Sequence, residues 1–232
     1  MLNRDDIYES VSARYDELIA YEDCEGELAR YMAGLDLEGK DIADLGAGTG
    51  RLTCLAAPKA RTVAAVDFAA DMLRAAAVKL EKAGLRHWTT RVADLRQRLP
   101  LEDRSLDVVM AGWSLCYLCG SGNPDAKRNL DHLYGELRRV LRPGGRVIIF
   151  ETLSTGVEAP AAPHFLEAYF RRLEHDWGLA SQVLYTGFRF EDKEQAKRLA
   201  GDFFGEALRD KIEAWDSPVV PSWTGVWSGS LG

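Results

Sequence analysis

The 232-residue chain carries a net charge of −7, with 47% hydrophobic and 28% charged residues. That length suits one α/β domain whose core needs no staples, and the acidic balance argues against electrostatic binding of nucleic acid. Four scattered cysteines give no disulfide scaffold, and no run approaches the roughly 18 apolar residues of a membrane span. The charged start, MLNRDDIYES, lacks the apolar core of a signal peptide, so the expected location is cytoplasmic.

Residues 5–34 carry apolar positions at mixed three- and four-residue intervals and read as one or two helices. KDIADLG is then a short buried strand, and RLTCLAAPKA opens a helix. RTVAAVDF is a second strand ending at Asp67. AADMLRAAAVKLEKAG is a helix rich in Ala and Leu, with Gly84 as its stop. HWTTRVAD and LDVVMAG read as the third and fourth strands. AKRNLDHLYGELRRVL is helical, Pro143 halts it, and the paired glycines of RPGG turn the chain into the fifth strand, RVIIFE. Strands alternating with helices predict right-handed crossovers and a mostly parallel sheet. After Glu151 the regime changes: LSTGVEAPAAP is a loop, HFLEAYFRRLEHDWG a helix and SQVLYTGFRF a strand. KEQAKRLAGDFFGEALRDKIEAW follows as a helix and VVPSWTGVWS as a last strand.

The functional signal begins in DLGAGTG, where Gly46, Gly48 and Gly50 follow the first strand. A dinucleotide fingerprint is G-x-G-x-x-G, so the third glycine comes one place early. By itself the loop also reads as a tight strand-to-helix turn. Asp44, two residues before it, would repel a pyrophosphate and welcome a cation, or it caps backbone N–H groups of the loop. Asp67 at the end of the second strand is placed to take both hydroxyls of a ribose, or to cap the following helix. Asp94 at the end of the third strand can accept from the exocyclic amine of adenine, while the N–H of Leu95 donates to a ring nitrogen. Three acids at three successive strand ends are far more specific than the glycines.

With these residues in place the chain resembles the class I S-adenosylmethionine-dependent methyltransferases over residues 38–152. DLGAGTG resembles that family's first motif and VAAVDFAADML its second. VADLRQRLPLEDRSLDVVMAGWSL is similar to the third and fourth, and LRRVLRPGGRVIIFE to the approach to the fifth strand. The resemblance implies a Rossmann-like, seven-stranded, mostly parallel sheet of order 3-2-1-4-5-7-6, strand 7 antiparallel, with helices on both faces. It also implies S-adenosylmethionine as cofactor, lying over the carboxyl ends of strands 1–4. Asp44, Gly46, Ala47, Gly48 and Gly50 would then surround its methionyl part. Asp67 would take the ribose, Asp94 and Leu95 the adenine edge, and Phe68 and Met72 the adenine faces. Ala111 and Gly112 complete the cofactor wall, and Tyr15 resembles a lid tyrosine of small-molecule members.

Trp113 and Tyr117 are placed to wall the methyl-transfer pocket, with Tyr185 as a further acceptor contact; Trp113 alternatively packs under the sheet. Aligned methyl transfer by in-line displacement needs no covalent catalyst. His132, His164, His175, Glu151 and Tyr185 are nominees for a base, and none is selected. Cys116 and Cys119 form a C-x-x-C without a second ligand pair, so no metal is expected. The expected organisation is one domain: lid helices in 1–34, a cofactor core in 35–151, and a substrate-covering insertion with the last two strands in 152–232. Within the covering segments, Tyr8, Tyr15, Tyr21, Phe165, Tyr169, Phe170, Trp177, Tyr185 and Phe188 are expected to supply an aromatic pocket. The expected function is methyl transfer to a small-molecule acceptor. An RNA or protein methyltransferase, a dinucleotide-dependent oxidoreductase and a non-catalytic binding module are the alternatives. The Trp-rich tail leaves a homodimer contact open.

Overall fold

The computed structural model describes residues 4–120 and 122–231, with backbone alone for 4–11. Four of the five residues of Asp41–Leu45 (β1) are buried, as expected of a strand covered on both faces. Around it lie Thr62–Asp67 (β2), Trp88–Val92 (β3), Leu106–Gly112 (β4), Leu141–Thr155 (β5), Ala180–Tyr185 (β6), Phe188–Arg189 (β7), Val219–Val220 (β8) and Ser222–Ser230 (β9). The main sheet has seven strands in the order β3-β2-β1-β4-β5-β9-β6. β1 to β5 pair in parallel, and β9 runs antiparallel to both its neighbours. This is the expected order, with β9 as the seventh strand.

Side-chain alternation along the central strands builds two cores. Val109 and Ala111 of β4 and Val147 and Ile149 of β5 face one side, against helices Ala126–Val140 and Glu167–His175. Val108, Met110, Ile148 and Phe150 face the other, against Glu27–Gly34 and Arg51–Ala56. The helix Ala126–Val140 buries Leu130, Leu133, Leu137 and Val140 along one stripe. Each such burial is worth about 1.5–3 kcal/mol relative to exposure.

The chain-order numbering of helices is α1 (Arg4–Ile19), α2 (Glu27–Gly34), α3 (Arg51–Ala56), α4 (Ala70–Lys82), α5 (Cys116–Cys119), α6 (Ala126–Val140) and α7 (Glu167–His175). Three C-terminal readings change, the last strand expected over VVPSWTGVWS splitting at Pro221 into β8 and β9 of different sheets. The strand expected over SQVLYTGFRF breaks at Thr186 and Gly187, so β6 stays in the main sheet while β7 pairs with β8 in a separate ribbon. Thr186 turns inward there to Thr224, hydroxyl to hydroxyl at 2.8 Å. The helix expected over 193–215 breaks into α8 (Lys193–Ala196), a π-helical turn, α9 (Asp202–Phe204) and α10 (Glu206–Ala214). Gly205, at φ +99°, makes the last break. A third core cluster joins these pieces to the N-terminus: Leu18 of α1 packs with Phe188, Phe190, Leu199, Leu208, Ile212 and Val220.

Candidate functional site

All three loop glycines adopt left-handed backbone, at φ +69°, +53° and +84° for Gly46, Gly48 and Gly50. Their surroundings differ. A Cβ on Gly46 would collide with Ser114, and one on Gly50 would lie 2.9 Å from the Ala76 Cβ of α4. A Cβ on Gly48 would meet nothing within 4 Å. Two glycines thus serve close packing, and the middle one presents bare backbone to open space. The N–H groups of Gly46 and Ala47 both donate to the Val66 carbonyl, at 2.7 and 3.0 Å, which pins the loop to the end of β2.

The three strand-end carboxylates lie along this edge in different states. Asp44 is 1% exposed and accepts from the Thr53 hydroxyl at 2.6 Å. Burial pushes its carboxyl up to about 6. Asp67 accepts from the Gly48 N–H at 2.9 Å on one oxygen and from the Ala69 N–H at 2.8 Å on the other. Each oxygen keeps lone-pair capacity for a further donor. Asp94 is held by Arg96, whose Nε and Nη2 lie 2.9 and 2.6 Å from its two oxygens, and that pairing holds its carboxyl below the usual range. Phe68, beside Asp67, is 78% exposed, and Met72 is half-buried on the first turn of α4. Leu95 and Ala111 are buried. Gly112 has room for no side chain, since a Cβ would lie 2.7 Å from Leu52.

On the β4–β5 side lies a cavity of about 340 Å³, whose lining includes Tyr15, Arg51, Trp113, Tyr117, Glu151 and Phe165. Trp113 holds a left-handed φ of +51°, unusual for a bulky residue. Its N–H donates to the Phe150 carbonyl at 2.7 Å, and its ring stacks on Phe150 at 6.0 Å. The Arg51 guanidinium stands 4.5 Å from the Trp113 ring centroid and pairs with Glu22 at 2.5 Å. Burial pushes the Tyr15 hydroxyl up to about 12. The next residue, Asp16, latches α1 to the loop: its Oδ1 accepts from the Thr49 hydroxyl at 2.5 Å and from Lys79 Nζ at 2.7 Å.

Glu151 is 1% exposed. Its Oε1 accepts from the Cys116 N–H at 3.0 Å and the Tyr169 hydroxyl at 3.2 Å, whereas Oε2 is buried without a hydrogen-bond partner among the described residues. Burial pushes its carboxyl up to about 7.

Other expected contacts lie elsewhere. Tyr185 is not among the cavity-lining residues. It ends β6 opposite Trp223 of β9 and packs edge-on against that indole at 5.1 Å. Tyr169, Phe170 and Trp177 belong to the core, and Tyr21 packs on Phe190. Phe165 and Phe188 do line the cavity, while the Tyr8 side chain lies outside the described residues. His132 is half-buried, its Nε2 3.0 Å from the Gln97 carbonyl. The thiols of Cys116 and Cys119 are free, and burial beside Glu151 pushes both upward. Among the described residues no group of three His, Cys, Asp or Glu side chains is placed to hold a metal ion. Sequence reasoning missed Arg51, Glu22, Arg96 and the Asp16 latch. Arg51 was the findable one, since it directly follows the loop.

A family model described as a methyltransferase domain matches residues 43–149, the stretch from β1 to β5 that carries the loop and all three carboxylates. The malonyl-[acyl-carrier protein] O-methyltransferase of a Marinomonas species is 35% identical over 148 residues, 62% of this chain and 48% of that protein. The demethylmenaquinone methyltransferase of Staphylococcus saprophyticus is 28% identical over 217 residues, 84% of each chain. The chain belongs to the class I S-adenosylmethionine-dependent methyltransferases. The crystal structure of an S-adenosylmethionine-dependent methyltransferase from Aquifex aeolicus shares the fold, with a TM-score of 0.56 at 16% identity over 88% of this chain and 92% of that one. For this methyltransferase the cofactor is S-adenosylmethionine. The residues at the carboxyl end of β1 and β2 suit it: Asp67 retains acceptor capacity, Phe68 is uncovered, and the Gly48 backbone is open to approach.

Proposed function

We propose that this methyltransferase acts on a small, largely apolar acceptor that enters the Tyr15–Trp113–Tyr117 cavity. The carrying observation is that aromatic cavity itself, lined by Trp113 directly after β4 and by Arg51 directly after the glycine loop. S-adenosylmethionine supplies an electrophilic methyl on a sulfonium, open to in-line displacement by a nucleophile aligned behind it.

In this reading Asp67 accepts both ribose hydroxyls, and Phe68 and Met72 enclose the adenine. Asp94 accepts from the exocyclic amine, sharing its oxygens with Arg96, and the Leu95 N–H serves a ring nitrogen. Gly46, Ala47, Gly48 and Gly50 pass along the methionyl chain. Asp44 contributes field rather than direct contact, because it is buried, only 1% exposed. Ala111 and Gly112 give the low wall that lets the methyl reach Trp113, whose face favours the sulfonium. Arg51 already stands over that ring, so it shares the attraction. The helix α1, with the segment between β6 and β9, closes over the cavity as a lid and excludes water.

The name of the demethylmenaquinone methyltransferase fits an apolar ring acceptor of this kind. No helix among the described residues is long and apolar enough to cross a membrane. The test is calorimetry with S-adenosylmethionine, S-adenosylhomocysteine and NAD, followed by an acceptor screen with labelled methyl donor. Binding of the first two alone, and transfer to small apolar acceptors, is expected. Binding of NAD, or transfer only to RNA or protein, would overturn the reading.

A further inference from the structure

We propose that Glu151 is the general base of the transfer, and that the acceptor therefore carries its nucleophilic atom as a hydroxyl on a largely apolar molecule. This rests on the methyltransferase reading above and adds to it a catalytic residue and a substrate class.

Position is the first argument. Gly112 pairs with Phe150 across β4 and β5, so Glu151 stands one residue beyond, level with Trp113 at the carboxyl end of the sheet. Glu151 and Trp113 line the same cavity. The second argument is the uneven satisfaction of the carboxylate. Cys116 and Tyr169 fix Oε1 and orient the group, while Oε2 is buried and unpartnered among the described residues. An unpaired buried acceptor is costly and is explained when an incoming donor completes it. A hydroxyl lying in the cavity supplies that donor.

The surroundings keep this carboxylate basic. Cys116 and Cys119 of α5, Tyr169 of α7 and Tyr117 at the cavity rim face it, and burial raises all four, so each is neutral near pH 7. Arg51, across the cavity, is committed to Glu22. The Glu151 carboxyl at about 7 is thus poised to take a proton near neutrality. In the step, the acceptor oxygen forms a bond to the methyl carbon as its O–H proton passes to Oε2. The methyl–sulfur bond breaks with its electron pair staying on sulfur. The products are the methyl ether, neutral S-adenosylhomocysteine and protonated Glu151, which then releases its proton to solvent.

The experiment compares the full chain with Glu151→Gln, which keeps a carbonyl acceptor for Cys116 and Tyr169 and so preserves any positioning role. Labelled methyl transfer is measured to 1-naphthol, which must lose a proton, and to 1-naphthylamine, whose nitrogen attacks without prior deprotonation. The expected result is a loss of about 10²–10⁴-fold on 1-naphthol and less than about threefold on 1-naphthylamine, with S-adenosylhomocysteine affinity unchanged. In the wild type, kcat/KM for 1-naphthol rises with pH to a plateau above about 7, whereas that for 1-naphthylamine lacks this inflection. That profile decides the matter even if the variant does not fold. Equal losses on both probes, no loss on either, the same pH profile for both, or cofactor binding without any transfer to 1-naphthol would overturn the proposal. Failure to bind S-adenosylhomocysteine would instead overturn the methyltransferase reading beneath it.

Discussion

Glu151→Gln has a second consequence, readable without any acceptor. In the folded chain the carboxyl sits at about 7, against an ordinary value of 4.5, because burial disfavours the charged form. The folded state therefore binds the proton more tightly than the unfolded chain does. Wild-type stability is fully present below about pH 4.5 and declines as pH rises to about 7, where the loss levels off. The difference between the two values corresponds to about 3 kcal/mol of ionisation cost. Glutamine cannot ionise, so the variant escapes that decline. Asp44, also raised, is present in both proteins and cancels in the comparison. Urea unfolding at a series of pH values gives the stability difference, variant minus wild type. It is expected to climb by about 3 kcal/mol between about pH 4.5 and pH 7 and then stay flat. A difference curve without slope across that window would refute the argument that Glu151 is a desolvated, uncompensated acid.

Four further outcomes are expected. Asp67→Ala should weaken S-adenosylmethionine binding by about 1.5–3 kcal/mol, since two hydroxyls lose a charged acceptor and the Gly48 N–H loses its partner; unchanged calorimetric affinity in a folded variant would refute that role. Gly48→Val should fold with about 1–2 kcal/mol of backbone strain but abolish the thermal shift on adding cofactor, because its side chain enters the open space. Gly50→Val should instead fail in stability, by about 2–4 kcal/mol in denaturant unfolding, because it drives a branched side chain into Ala76 of α4 from a left-handed backbone. Asp16→Ala should release α1 from Thr49 and Lys79, speeding hydrogen exchange in α1 while leaving exchange in β1 and β4 unchanged. It tests the lid better than truncation of residues 1–20, which would also remove Leu18 from the third core cluster.

The sheet was legible because its signals are local. Short strands, a Gly-stopped helix and the alternation of element types carry a mostly parallel sheet, and the family resemblance supplied the strand order and the antiparallel last strand. The C-terminal third was less legible. Thr186 and Gly187 do not look like a strand break, since the break is made by pairing with Thr224, 38 residues away. The interrupted helix over 193–214 was written in Gly201 and Gly205, but an Ala- and Leu-rich pattern around them masked the interruption. Among the candidate site residues, Asp67 and the glycines stand out in the sequence because strand ends and loop spacing mark them. Glu151 stood out less: its weight comes from Cys116 and Tyr169 closing around it, contacts 35 and 18 residues distant. Tyr185 misled because alternation along β6 turns it to Trp223, and only the register of β9 reveals that.

A crystal structure of the chain with S-adenosylhomocysteine tests the cofactor and acceptor assignments together. The ribose hydroxyls are expected on Asp67, the adenine between Phe68 and Met72, and the thioether sulfur facing the cavity between Trp113 and Glu151. A ligand bound away from the glycine loop, or one whose sulfur faces away from that cavity, would contradict those assignments.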